Sequence, residues 1–114
     1  MSPFFSKEFL MRAKKITVTG TGTSAWIPMD NKQAPFNVGI GCVIVSGTAT
    51  YSVEHTFDDI FDSTVTPVAF ANATIAAVTT NKDGNYAAPI KALRLNVTAG
   101  VAPVVAMTII QGLR

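Results

Sequence analysis

The side chains in this sequence that could do chemistry are few and scattered. Asp58, Asp59 and Asp62, with Glu54 close by, form the one acidic cluster. Oxygen-rich loops of this kind can hold Ca²⁺, which takes about six to eight oxygen ligands. This loop lacks the alternating Asp/Asn ladder and the glycine of a dedicated calcium loop, so capping of exposed backbone amides is the expected role. His55 is the single histidine and Cys42 the single cysteine. General-base chemistry needs an orienting partner and a nucleophile within reach, and neither is indicated beside His55. One cysteine excludes an intrachain disulfide, and the apolar run Val38–Val45 around it suggests a buried thiol acting as a small hydrophobe. Gly20-Thr21-Gly22 lacks the lysine and helix of a phosphate-binding loop. Trp26, Tyr51 and Tyr86 could form a sugar-stacking platform, but aromatics on three separate strands are expected in a core or at its rim. No enzyme, cofactor or metal is expected.

The elements that must carry these residues read as strands. Tyr51, Val53, His55 and Phe57 alternate with Ser52, Glu54 and Thr56, and a period of two sends the two sets to opposite faces of a sheet. A first strand is predicted over Lys15–Thr21, and a short one over Ser24–Ile27 around Trp26. Phe36–Ser46 reads as a central strand covered on both faces, turning at Ser46-Gly47 into the Tyr51 strand as a hairpin. Asp58–Pro67 reads as an irregular connection, Ala73–Thr80 as a strand and Asn81–Asn85 as a turn. Ala87–Thr98 reads as a strand whose front Pro89 demotes to an edge. Ala99-Gly100 is predicted to turn the chain into a last strand over Pro103–Gln111. The expected fold is all-β, an antiparallel β-sandwich (jelly-roll or immunoglobulin-like) of six to eight strands.

At 114 residues the chain suits one domain. Charged residues make up 14%, against roughly 25% in ordinary soluble domains. Two readings account for this: threonine-rich outer faces, or a surface covered by partners. The net charge of +2 is too small to imply nucleic acid. Its excess lies in residues 1–15, where Lys7, Arg12, Lys14 and Lys15 face the single Glu8. Residues 1–13 read as an N-terminal arm preceding a sandwich over 14–114. A dozen extended residues reach up to about 40 Å, whereas a 100-residue domain has a radius of gyration of about 13 Å. Such an arm could reach a neighbour, or its aromatics could fold onto their own core. No secretory h-region follows Phe4 and Phe5, and no run approaches the roughly 18 apolar residues of a membrane span. The sequons at Asn72 and Asn96 are expected to be accidental.

Two segments carry a likeness. Tyr51-Ser52-Val53-Glu54-His55-Thr56-Phe57-Asp58-Asp59, followed by Asp83-Gly84-Asn85-Tyr86 and the strand Ala92-Leu93-Arg94-Leu95-Asn96-Val97-Thr98, resemble small virion proteins of tailed bacteriophages. Several of these look like capsid decoration or cement proteins. The likeness covers roughly residues 36–111 and supplies no site residues. It implies a structural protein made in the host cytoplasm and located in the virion. The implied partner is the major capsid protein, with self-association as a dimer or trimer; the sequence itself gives no membrane partner and disfavours nucleic acid, for which a contact through Lys7, Arg12, Lys14 and Lys15 stays open as a weaker alternative. Phe4, Phe5, Phe9, Arg12 and Lys14 are the partner-contacting residues this reading selects. The alternatives are a tail or neck component and a carbohydrate- or cell-surface-binding sandwich.

Overall fold

The computed structural model describes residues 11–30 and 36–112, with the side chains of Met11, Arg12 and Gly112 left aside. Among the described residues, seven strands account for the regular structure: β1 (Met11–Thr19), β2 (Gly22–Thr23), β3 (Ile27–Pro28), β4 (Val38–Thr56), β5 (Phe70–Ala71), β6 (Lys82–Tyr86) and β7 (Ala92–Gly112). Every pairing is antiparallel. There is no helix among the described residues, hence none long and apolar enough to cross a membrane.

Two strands organise the molecule. β4 has 19 residues and β7 has 21, and they pair along almost their whole length. Both are broken at the same place. Register shifts fall between Ile44 and Ser46, between Ser46 and Thr48, and between Thr50 and Tyr51, opposite the stretch from Val97 to Val105. Gly47 (φ 72°), Gly100 (φ 144°) and Ala102 (φ 46°) supply the backbone conformations that an L side chain rarely adopts. The extra residue switches the inward set of β4 from Val38, Ile40 and Cys42 to Ala49, Tyr51 and Val53.

The ribbon folds over at this bend into the two layers of a β-sandwich. The first layer joins β1, the second half of β7, the first half of β4, and β6. The second joins β2 and β3, the first half of β7, the second half of β4, and β5. Contacts across the layers fix the stacking. Tyr86 Oη of the first layer lies 2.8 Å from His55 Nδ1 of the second. The buried Gln111 amide accepts from Asp30 N at 3.1 Å and donates to Asp30 O at 3.0 Å, tying β7 to the residues after β3. Between the layers lies a single core, with Val38, Tyr51, Val53, Leu93, Leu95, Val105 and Met107 fully buried. Each such side chain contributes about 1.5–3 kcal/mol by leaving water.

Several local expectations are corrected. Ser46-Gly47 and Ala99-Gly100 are not turns between strands: they are the two sides of one bend. A positive-φ glycine serves a bulge as well as a turn, and local sequence does not distinguish them. Phe36–Ser46 is covered on one face alone, since Val43 and Val45 are exposed. Ala73–Thr80 is no strand: Asn72 Oδ1 accepts from Thr74 N and Ile75 N, curling the chain, and a lone bridge joins Val78 to Tyr51. Asn81–Asn85, expected as a turn, is largely strand β6, because pairing with Val38–Cys42 outweighs the weak local preference of Lys-Asp-Gly-Asn. β1 starts at Met11 rather than Lys15, so Met11 to Ala13, read as the end of the arm, pair with Gly112 to Ile110. Residues 1–10 lie outside the described residues.

Candidate functional site

Of the residues expected to meet a partner, Phe4, Phe5 and Phe9 lie outside the described residues. Arg12 stands opposite Gln111 in β1, and Lys14 opposite Ile109. Lys14 borders an open cleft of about 250 Å³ between the layers, lined also by Ile27, Met29, Ile109 and Gln111.

The aspartates of the connecting loop act on their own backbone. Asp58 Oδ2 accepts from Val68 N at 2.8 Å, Asp59 Oδ1 from Phe61 N at 2.9 Å, and Asp62 Oδ1 from Thr64 N and Oγ1 at 2.9 and 2.7 Å. The hydrogen bonds from Thr64 hold the Asp62 carboxyl below its ordinary pKa. These are the turn-forming caps expected of them. Burial pushes the Cys42 thiol up to about 12, which leaves it protonated and unreactive. Tyr51 and Tyr86 are core residues, their hydroxyls pushed up to about 12 chiefly by burial. They therefore form no surface platform with Trp26. That indole is covered on one face by Arg94, whose guanidinium carbon lies 4.3 Å from the ring centroid. Arg94 Nε donates to Glu54 Oε1 at 2.8 Å, and Asn96 Nδ2 to Glu54 Oε2 at 3.0 Å. This chain of contacts stiffens the outer face of the second layer.

Two surfaces stand out, and sequence reasoning missed both. The first is the outer face of the first layer. Its register rows set Gly39, Gly41 and Val43 of β4 beside Ile110, Thr108 and Ala106 of β7, with Ala13, Lys15 and Thr17 of β1 beyond them. Val43, Val45 and Ile110 are 47%, 59% and 43% exposed. The result is a face of small and apolar residues whose charges, among the described residues of these rows, are Lys15 and, on β6, Asp83.

The second surface lies at one end of the sandwich. Phe57 and Phe70 are about half exposed with ring centroids 5.8 Å apart. His55 packs against both, at 5.4 Å edge-on to Phe57 and 5.9 Å stacked on Phe70. Burial holds the His55 imidazole below its ordinary pKa of 6.5. Phe61, 79% exposed, and Val68 stand on the adjoining acidic loop. The alternation through Phe57 pointed to the core, but the strand ends at Thr56 and the ring is left outside. Phe61 between aspartates was the readable signal, an apolar ring in a loop with no core face to fill.

Fold and surface together define the class: an all-β, antiparallel sandwich with exposed apolar faces. No protein-family model matches the chain, and no curated protein matches it in sequence. Among solved structures it is similar to the SPBc2 prophage-derived protein YomS, at TM-score 0.53 and 10% identity over 90% of this chain and 95% of that one. That likeness establishes a shared fold. Other matches include a chain of the acid-stable capsid of Helicobacter pylori bacteriophage KHP30, at TM-score 0.48 and 14% identity over 91% and 88% of the two chains. A chain of the Bacillus endospore appendages, described as disulfide-linked pili, matches at TM-score 0.44 and 15% identity over 91% and 89%.

Proposed function

We propose that this chain is a structural protein of a tailed-bacteriophage virion, a decoration or cement protein that binds the major capsid protein lattice and stabilises the head. The observation that carries this reading is the pair of separate apolar surfaces on one small sandwich. Val43, Val45 and Ile110 lie on an outer sheet face, and Phe57, Phe61 and Phe70 at an end. A chain with 14% charged residues has little to keep such faces apart in solution, which is the composition of a molecule covered by neighbours. The strand motifs resembling phage virion proteins support the reading, as does the fold shared with a prophage-derived protein.

Physically, the outer face of the first layer suits a broad protein surface, while the partner-contacting residues Phe4, Phe5, Phe9, Arg12 and Lys14 link neighbouring molecules. A standard contact buries about 800 Å² per partner, and many weak copies on one lattice act together. The test is cofractionation of the purified chain with empty capsids, with electron microscopy locating the bound copies. Val45→Asp combined with Ile110→Asp is expected to abolish occupancy. Unchanged occupancy, or density confined to the tail, would overturn the assignment to the head.

A further inference from the structure

We propose that the aromatic end of the sandwich is the seat for the leading segment, residues 1–10, of a second copy of this chain, exchanged reciprocally in a two-fold dimer. The inference rests on the assembly reading above and names one partner of it.

Three observations carry it. The seat is apolar and open to solvent: Phe57, Phe61 and Phe70 are 54%, 79% and 49% exposed. Rings of this size bury about 150–250 Å² each when covered. The chain itself holds a matching segment, in which Phe4, Phe5, Phe9 and Leu10 follow one another closely.

The charges are complementary. Asp58 and Asp59 follow Phe57 in the chain and Asp62 follows Phe61, with Lys91 as the basic residue sharing a small cleft with Asp59 and Phe61. Residues 1–15 carry Lys7, Arg12, Lys14 and Lys15 against Glu8. In an end-to-end pair the basic start of β1 faces the acidic loop of the other copy.

The positions also agree. β1 begins at Met11 opposite Gly112, the next β7 residue Gln111 pairs with Val38, and Val38 pairs with Tyr86. The Tyr86 hydroxyl meets His55, which stacks on Phe70. The leading segment therefore departs from the end of the molecule that bears the seat. Ten residues span up to about 33 Å, enough to cross a contact between two such ends. With donor and acceptor at one end, exchange is mutual, and the assembly closes at two copies instead of growing into a fibre.

The experiment is sedimentation velocity on the purified full chain over a concentration series. The full chain is expected to be a dimer. Deletion of residues 2–10, and separately Phe57→Ser with Phe70→Ser, are each expected to give monomers. Mixing these two variants should restore a heterodimer, because the intact segment of one meets the intact seat of the other. Phe61→Ser, which leaves β4 untouched, should weaken dimerisation about tenfold or more with unchanged near-ultraviolet circular dichroism. A full chain that stays monomeric, a deletion variant that still dimerises, or a mixture that yields no heterodimer would each overturn the inference. Capsid occupancy is read separately. A dimer that ignores capsids defeats the proposed function alone, and a monomer that decorates them defeats this inference alone.

Discussion

His55 lies where the core gives way to the aromatic end, its Nδ1 against the Tyr86 hydroxyl and its ring against Phe57 and Phe70. Burial disfavours the imidazolium, so the folded chain resists a proton that the unfolded chain accepts near pH 6.5. Below that pH the unfolded state binds more protons, and stability must fall as pH drops from 6.5 toward the lower folded value. Thermal melts between about pH 7.5 and 5.5 should show this loss, and His55→Gln should remove it. Asp62 acts in a separate window: its depressed carboxyl favours the fold above 3.8 and ceases to do so in stronger acid. Glu54 is the other residue whose removal should be felt. It accepts from both Arg94 and Asn96 while its side chain is 17% exposed. Glu54→Ala leaves two donors without their acceptor and should lower stability by about 1.5–3 kcal/mol, read from the urea midpoint.

At the scale of elements, the bend in β4 and β7 decides the fold. A Cβ placed on Gly100 would strike the Thr48 carbonyl and the Ala49 backbone, and φ is unfavourable for any L side chain. Gly100→Ala should therefore cost about 2 kcal/mol or more in chemical denaturation. Ala102 sits across the same bend at φ 46°, where glycine is the easier residue. Ala102→Gly is expected to raise stability by about 0.5–1 kcal/mol, a gain that a true turn-to-strand boundary would not provide. The strand core residues were legible: Leu93, Leu95 and Val97, and Val105, Met107 and Ile109, alternate and are buried as their period requires. The bend was not legible as a bend. Both glycine signals were visible, but that they lie opposite each other depends on pairing between residues about 50 apart in the chain. The Ala73–Thr80 segment misled for a related reason. Its β-branched content suggested a strand, and the buried Asn72 side chain instead captures two backbone amides.

For the whole molecule, β4 and β7 run through both layers, so neither layer can unfold while the other stays intact. Unfolding should be a single cooperative transition. Trp26 fluorescence reports on the second layer, and hydrogen exchange at Val38–Cys42 reports on the first. Their stabilities should coincide, and a first layer that opens at lower denaturant would contradict the continuous-strand account. The candidate surfaces belong to this scale as well. Period-two alternation by itself determined that this chain is an all-β sandwich with Val53, Leu95 and Met107 inside, because each side chain's face is set by its parity along the strand. Tertiary structure decided which outward rows stay uncovered. Val43 and Ile110 face outward on one sheet layer, and Phe57 and Phe70 meet at one end beside the loop that carries Phe61, because two long strands bend at Gly47 and Gly100. Exposure is a property of the layers that do or do not pack over a residue, and no local pattern encodes it.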